Sequence, residues 1–199
     1  MVDLRDKVVL VTGAGKGTGR RVAEAFAAAG ASLAINDVSP VNLDVTGAHI
    51  LAAGGRVKAY VEDIAKKMPV QALLNAVLDD LGRIDIMVNC AEVEPQKSVL
   101  EMDDWDWQRT FDVNLTGPFL LTQSVGRIMK EKGGGIIVHV GERARGPEKR
   151  AAYFASKAGL AALSALAAYE LCEDHILVYH VQPDETGDVV ETILELCTA

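Results

Sequence analysis

Short apolar runs alternate along the chain with stretches whose apolar residues recur every three or four positions. The first such pair lies within residues 7–29, where an apolar run precedes a glycine-rich turn. After the turn, Val22, Phe26 and Ala29 recur at helical spacing. The run predicts a buried parallel strand, and the spacing that follows predicts a helix packed against it.

The same alternation continues to the end of the sequence and predicts one parallel sheet. Further strands are expected over residues 31–36, 56–60, 84–88, 136–140 and 176–182, and helices over 40–53, 66–81, 103–130, 151–171 and 188–197. The helix over 103–130 is expected to begin after Asp103 or Asp104 and to be interrupted near Gly117. Without an internal repeat or linker, this order predicts a single Rossmann-type α/β domain over residues 1–199. It is a doubly wound, three-layer arrangement of about six strands, with its ligand crevice at their carboxyl ends.

Composition agrees with one globular domain. A chain of 199 residues suits one domain with a real core, and 49% hydrophobic residues with 5% aromatic residues indicate aliphatic strands covered by alanine-rich helices. No apolar run reaches the roughly 20 residues that span a bilayer, and the charged N-terminus has no apolar signal region behind it. We therefore expect a cytoplasmic protein.

Charge and residue counts argue against nucleic-acid binding and against a metal site. The net charge of −8 is unsuited to a polyanionic partner, which calls for clustered Lys and Arg. The three cysteines are odd in number and widely spread, so neither a disulfide framework nor a zinc site is indicated. The four histidines also lack ligand spacing, so we expect no metal.

The turn after the first strand is unusually rich in glycine. Glycine permits positive φ and lets a ligand approach with no Cβ in the way, while free N–H groups at the start of a helix favour an anion. A phosphate-bearing ligand therefore fits this turn, and a purely structural turn is the alternative. Glycine occupies every second position here, at Gly13, Gly15, Gly17 and Gly19.

The glycine spacing narrows the choice of nucleotide-binding loop. A P-loop ends in Gly-Lys followed by Ser or Thr, whereas here Gly17 follows Lys16. Thr18 stands where the GxGxxG signature has its last glycine. The spacing that is present, Thr12-Gly13-xxx-Gly17-x-Gly19, resembles the nucleotide loop of the short-chain dehydrogenase/reductase family.

Asp37 ends the second predicted strand, roughly 20 residues past the glycine loop. An acidic residue at this place would hold a ribose 2′-hydroxyl and repel a 2′-phosphate, which favours NAD over NADP. A turn aspartate before Pro40 is the alternative. The resemblance adds an opposing signal, since a basic residue at the position of Lys16 can meet that phosphate in the family.

The resemblance extends to other strand ends. Asp63 stands where the family's acidic residue meets the adenine, and Asn89-Cys90-Ala91-Glu92 stands where the family usually has Asn-Asn-Ala-Gly. Glu92 replaces the terminal glycine, which removes the support for a close approach of backbone and cofactor at this turn. The resemblance implies an NAD site formed by Gly13, Lys16, Gly17, Thr18, Gly19, Asp37, Asp63, Asn89, Tyr153, Lys157 and Thr186.

Tyr153 and Lys157 are four residues apart and share one predicted helix face. A phenol must lose roughly two to three pKa units to act near neutrality, and an adjacent ammonium lowers its pKa. The resemblance implies that Tyr153 is the acid or base on the substrate oxygen and that Lys157 holds the nicotinamide ribose. It also implies that Asn114 organises a proton-relay water, the alternative being a polar residue near a helix interruption.

Glu142 stands where the family has its catalytic serine. This assignment aligns His139-Val140-Gly141-Glu142 with the Asn-Ile-Ser-Ser that the family usually has after its fifth strand. Losing one such donor costs on the order of 10² to 10³ in rate. An ionised Glu142 about 4 Å from the phenol would also repel the phenolate by roughly 4 kcal/mol. The alternatives are a protonated Glu142, a side chain turned toward Arg143 or Arg145, or a shifted alignment.

The carboxyl-terminal region departs from the family pattern as well. Asp184 replaces a glycine, while Thr186 matches the threonine that touches the cofactor amide in the family. Gly187 leads almost directly into the last predicted helix, where the family has a substrate-binding segment. We expect an open and unselective site.

Two functions of different class follow from these observations. The first is an NAD(H)-dependent oxidoreductase of impaired activity that transfers hydride between nicotinamide and a small alcohol or ketone. The second is a non-catalytic NAD-binding protein, a scaffold or redox sensor. The helices over 103–130 and 151–171 resemble the pair through which family members associate, so a homodimer or homotetramer is expected.

Overall fold

A computed structural model describes residues 3–142, 149–182 and 188–198. Its strands are β1 (Val8–Thr12), β2 (Ser32–Asp37), β3 (Arg56–Val61), β4 (Ile86–Asn89), β5 (Gly135–Val140) and β6 (Ile176–Val181). Its α-helices are α1 (Gly17–Ala28), α2 (Pro40–Ala52), α3 (Lys67–Leu81), α4 (Asp104–Phe111), α5 (Gly117–Lys132), α6 (Ala151–Leu171) and α7 (Val189–Leu196). The predicted elements are all present, with bounds that differ by up to two residues.

The described strands form one parallel sheet in the order β3-β2-β1-β4-β5-β6. The chain runs outward from β1 to β3 and then returns to β4 on the other side of β1. The strand order therefore reverses between β1 and β4, and a crevice opens at their carboxyl ends. The predicted doubly wound α/β fold is confirmed.

Alternating residues of β1 face two separate cores. Val9 and Val11 belong to the core closed by α1, α2 and α7, whereas Leu10 belongs to the core closed by α3, α5 and α6. Each core is built mainly from aliphatic side chains, as the composition predicts. The sheet is therefore covered by helices on both faces, as a doubly wound fold requires.

The predicted helix over 103–130 is divided. Asp103 caps α4 by accepting a 2.8 Å hydrogen bond from the Asp106 N–H. A π-helical turn, Asp112–Thr116, then separates α4 from α5. The interruption thus begins one turn before Gly117, and Asn114 lies inside it. Such π turns widen the helix locally and often occur at functional sites.

Helix α6 is a long helix composed mainly of alanine, leucine and other apolar residues. Together with the turn that follows it, Ala151–Asp174 is long and apolar enough to cross a membrane by length and composition alone. One face of α6, carrying Ser156, Leu160 and Ala167, is nevertheless buried in the domain. A core helix meets the same criterion.

Candidate active site

A cleft of about 380 Å³ opens at the carboxyl ends of β1, β2 and β4. Its wall is formed by the glycine loop, the end of β2 and the turn after β4. Predicted cofactor residues in its lining are Gly13, Lys16, Gly17, Thr18, Gly19, Asp37 and Asp63. Residues in the lining that the sequence did not assign to a site include Asn42, Val93, Arg109 and Val113.

The glycine loop needs its glycines for two different reasons. Gly13 has φ +65°, and a Cβ there would lie 2.5 Å from the Ala91 Cα, so this strand end packs directly under the turn after β4. Gly17 has φ +55°, but a Cβ would meet no atom within 4 Å. Gly13 thus permits close packing, while Gly17 leaves open space at the start of α1.

The amino end of α1 lies at the cleft. Lys16 is its N-cap residue, and an ammonium side chain has no acceptor with which to cap the first N–H groups. These groups therefore remain available to an anion, and the helix dipole adds to the attraction. The phosphate-bearing ligand predicted at this turn fits this geometry.

Asp37 is fixed at the cleft wall by the backbone around it. Its Oδ2 accepts a 3.0 Å hydrogen bond from the Gly15 N–H, and its Oδ1 accepts one of 3.0 Å from the Ser39 N–H. The carboxylate is thus held beside the glycine loop, where a 2′-hydroxyl could donate to it and a 2′-phosphate would be repelled.

Asp63 is paired with Arg109, a residue that the sequence reasoning missed. The Arg109 Nη1 lies 3.0 Å from the Asp63 Oδ2, and the Ala65 N–H also donates to the carboxylate. Burial opposes ionisation of Asp63, but the hydrogen bond and charge of Arg109 keep its pKa below the usual value. An adenine would therefore meet an ion pair at this wall rather than a free carboxylate.

Asn89 lies beneath the cleft rather than in its lining. Its Oδ1 accepts from the Thr12 hydroxyl at 3.3 Å, and its Nδ2 donates to Nδ1 of His139 at 3.0 Å. The other ring nitrogen of His139 then carries the proton and donates to the Thr122 hydroxyl at 3.1 Å. The chain of bonds ties β1, β4 and β5 to α5, and a cofactor role for Asn89 stays a prediction.

Tyr153 and Lys157 come together as predicted, but a third side chain joins them. The Tyr153 hydroxyl donates a 2.9 Å hydrogen bond to Oε2 of Glu92, and the Lys157 Nζ lies 2.7 Å from the same oxygen. Lys157 also donates to the Val140 carbonyl at 3.0 Å and is only 3% exposed. Glu92 is thus the counter-ion of a buried ammonium.

These contacts reverse the expected effect on the phenol. The pKa of Tyr153 is raised well above its usual value by burial, by the charge and hydrogen bond of Glu92, and by the charges of Glu142 and Glu94. The sequence predicted a lowering by Lys157. That prediction fails here first because burial disfavours the phenolate, and second because the phenol also contacts the carboxylate that pairs with the ammonium.

Glu142 acts on Tyr153 through its charge, as the sequence analysis anticipated. Arg143 and Arg145, which would face Glu142 in one of the three alternatives, lie outside the described residues. Arg150 borders the site on its other side, with its guanidinium 4.6 Å from the centre of the Tyr153 ring. It also pairs with Glu94.

Asn114 holds the turn that carries Glu92. Its Oδ1 accepts from the Val93 N–H at 2.9 Å, and its Nδ2 donates to the Val93 carbonyl at 3.0 Å. The same Nδ2 donates to the Ser156 hydroxyl at 3.1 Å. In this structure the side chain joins the turn after β4 to α6, and its predicted role with a relay water stays a prediction.

The predicted contacts at the carboxyl-terminal side fall in an undescribed segment. Thr186, Asp184 and Gly187 all lie outside the described residues. The predicted site is therefore described from the glycine loop to α6, and the Thr186 contact stays a prediction.

Comparison with known proteins gives consistent results. The family model described as short chain dehydrogenase matches residues 7–192. An uncharacterized oxidoreductase of Thermotoga maritima is 36% identical over 187 residues, covering 93% of this chain and 74% of that protein.

Two solved structures that resemble this chain contain a cofactor. A metagenomic short-chain oxidoreductase in complex with NADP has a TM-score of 0.93 at 29% identity, covering 98% of this chain and 92% of that one. An NAD⁺-bound xylitol dehydrogenase has a TM-score of 0.87 at 31% identity, covering 93% of this chain and 72% of that one.

Proposed function

The chain belongs to the short-chain dehydrogenase family, and on this premise we propose an NAD(H)-dependent oxidoreductase that acts on a small alcohol or ketone. One observation carries the proposal: the cleft at the reversal of strand order is lined by the glycine loop, Asp37 and Glu92, and Glu92 contacts the Tyr153–Lys157 pair. Two resembling structures are complexes with NADP and NAD⁺, so the family fold accepts either. The preference for NAD is supported by Asp37.

The residues of the cleft fit a dinucleotide. The positive φ and open space at Gly17 leave room for phosphate at the start of α1, and Asp37 would accept from the adenosine ribose. Asp63 with Arg109 would border the adenine. When bound, the nicotinamide supplies the hydride acceptor or donor, and Lys157 would hold its ribose.

Tyr153 would exchange the proton with the substrate oxygen. In carbonyl reduction its hydroxyl donates to the oxygen, and in alcohol oxidation it must accept a proton. The raised pKa keeps the phenol protonated, so the oxidation direction is especially disfavoured. With Glu142 in place of a hydroxyl donor, we propose that turnover is slow in both directions.

Two measurements test this proposal. Calorimetry measures NADH binding, and an assay with a panel of small ketones and alcohols measures hydride transfer. Wild type should bind NADH and reduce at least one ketone slowly. Tyr153→Phe should keep NADH affinity and lose measurable hydride transfer. An absence of NADH binding by the wild type would reject the proposal, and an unchanged rate in Tyr153→Phe would reject the role of the phenol.

A second candidate is a non-catalytic NAD-binding protein, a scaffold or redox sensor. The position of Glu92 between Tyr153 and Lys157 favours it, since both groups are occupied by a side chain of the protein itself. This candidate predicts NADH binding without turnover across the whole panel. Turnover by the wild type would remove it.

Self-association through α5 and α6 is a further part of the proposal. An apolar groove between these helices is lined by side chains that include Phe119 and Leu166, which are 44% and 63% exposed. A second copy would cover them in a homodimer or homotetramer. Sedimentation that detects only monomer would contradict this, and a cytoplasmic location also stays a prediction.

A further inference from the structure

The carboxylate of Glu92 fills the gap between the two groups that the proposed reaction needs. One of its oxygens lies within hydrogen-bond distance of both the Tyr153 hydroxyl and the Lys157 ammonium. Lys157 is almost fully buried, and a buried ammonium needs a compensating charge. In this arrangement Glu92 supplies that charge. It accepts the single proton of the Tyr153 hydroxyl, and Lys157 uses two of its three N–H groups on Glu92 and the Val140 carbonyl.

The backbone at Glu92 is fixed, whereas its side chain has room to move. Ala91 packs beneath Gly13, and both backbone groups of Val93 are held by Asn114. The Glu92 side chain itself is 43% exposed and lines the cleft. A change of side-chain rotamer can therefore withdraw the carboxylate without moving the turn.

We infer that Glu92 is an internal competitor of the cofactor, whose carboxylate must leave Tyr153 and Lys157 before a dinucleotide ribose can bind Lys157. The inference rests on the proposed function and deepens it. Glu92 then weakens cofactor binding, because displacing its carboxylate from Tyr153 and Lys157 costs part of the binding free energy. The bound ribose takes over the hydrogen bond of Lys157, and Tyr153 is released toward the substrate.

The alternative role for Glu92 is that of proton acceptor for Tyr153. In that case the carboxylate would stay in place when the cofactor binds, and its removal would slow turnover without tightening binding. The two roles make opposite predictions for NADH affinity, which separates them in one measurement.

The experiment compares NADH dissociation constants in the wild type, Glu92→Gln and Glu92→Gly, measured by calorimetry. Both variants should bind NADH about tenfold more tightly or better, since the competing carboxylate is gone. Glu101→Gln is the matched control, because Glu101 is an exposed glutamate that pairs with Lys149 and contacts neither Tyr153 nor Lys157. Its affinity should equal that of the wild type.

Equal or weaker NADH binding by both Glu92 variants, beside a wild type that binds, would overturn the inference and leave the proposed function intact. If neither the wild type nor any variant binds NADH, the proposed function fails and the inference falls with it. Binding by the variants alone would reject the proposed function for the wild type, while supporting the competition between Glu92 and the cofactor.

A measurement on the wild type covers the case in which the variants fail to fold. Tyrosine labelled with ¹³C at the ring carbon bearing the hydroxyl reports each phenol by NMR, and Tyr153→Phe identifies the Tyr153 signal. Saturating NADH should shift that signal and let Tyr153 ionise at lower pH. An unchanged signal and titration in the presence of bound NADH would overturn the inference.

Discussion

The hydroxyl of Tyr153 lies 2.9 Å from a carboxylate oxygen of Glu92, in a hydrogen bond that joins α6 to the turn after β4. A like charge about 4 Å from a phenolate costs roughly 4 kcal/mol at an effective dielectric constant of 20, which is about three pKa units. This rise in the Tyr153 pKa is as large as the lowering of roughly two to three units that was expected from the adjacent Lys157 ammonium. The contact therefore determines the acid–base behaviour of the site as much as the Tyr153–Lys157 pair does.

Replacing Glu142 by serine should increase turnover. The substitution removes a charge that raises the Tyr153 pKa and adds a hydroxyl where the family has its donor. We expect kcat/KM for ketone reduction to rise on the order of 10² to 10³ over the wild type. Glu142→Ala removes the charge alone and should give a smaller rise. Equal rates in the two variants would show that the hydroxyl contributes nothing.

Replacing Asp37 by asparagine should shift cofactor preference toward NADPH. Two like charges about 5 Å apart repel by roughly 3 kcal/mol at an effective dielectric constant of 20, so the ratio of NADPH to NADH affinity should rise at least about tenfold. Lys16→Gln should shift the ratio the other way, because it removes the cation that also lines the cleft. Titration of each variant with both cofactors measures the ratio. An unaltered ratio in Asp37→Asn would contradict the role given to Asp37.

His139 should make the protein sensitive to acid. Burial, together with the charges of His180 and Lys157, lowers the pKa of His139 to about 3. The unfolded state binds a proton near pH 6.5 and the folded state does not, so stability is complete above that pH and is lost as pH falls toward 3. Between pH 6 and pH 4 the loss from this group should be on the order of 3 kcal/mol.

Urea unfolding at several pH values measures this contribution. His139→Asn removes the titrating group, so its stability should decline less steeply on acidification than that of the wild type. His49→Gln is the control, because His49 is an exposed partner of Glu24 and its replacement should leave the slope unchanged. A slope in His139→Asn equal to the wild-type slope would be incompatible with a buried neutral imidazole.

Two glycines of the same loop should differ in their tolerance of alanine. Both have positive φ, but a Cβ at Gly13 would overlap the Ala91 backbone and a Cβ at Gly17 would meet nothing within 4 Å. Gly13→Ala should therefore lose about 3 kcal/mol of unfolding free energy or more, and Gly17→Ala only about 1 kcal/mol. Denaturant unfolding of both variants checks the order. Equal losses would mean that backbone strain alone, without the close contact, decides the cost.

The sequence predicted those parts of the molecule that depend on local patterns. Apolar runs and helical spacing located the strands and helices, and their alternation predicted the parallel sheet. The same order placed the glycine loop, Asp37 and Asp63 at carboxyl strand ends, where all of them line one cleft. Tyr153 and Lys157 could be paired because four residues make one helical turn.

The tertiary structure alone decided which other charges reach these residues. Arg109 is 46 positions from Asp63 in sequence, and Glu92 is 61 positions from Tyr153, so no local period relates them. The hydrogen bonds that join the Asn89 side chain to Thr12 and His139 likewise come from the pairing of β1, β4 and β5, and its cofactor role stays a prediction. The pKa of a phenol depends on every charge within a few ångströms, and sequence spacing gives that distance only inside a single helix or strand. The order of the elements therefore followed from the sequence, whereas the protonation of Tyr153 depended on how deeply the fold buried the phenol and on where it placed Glu92.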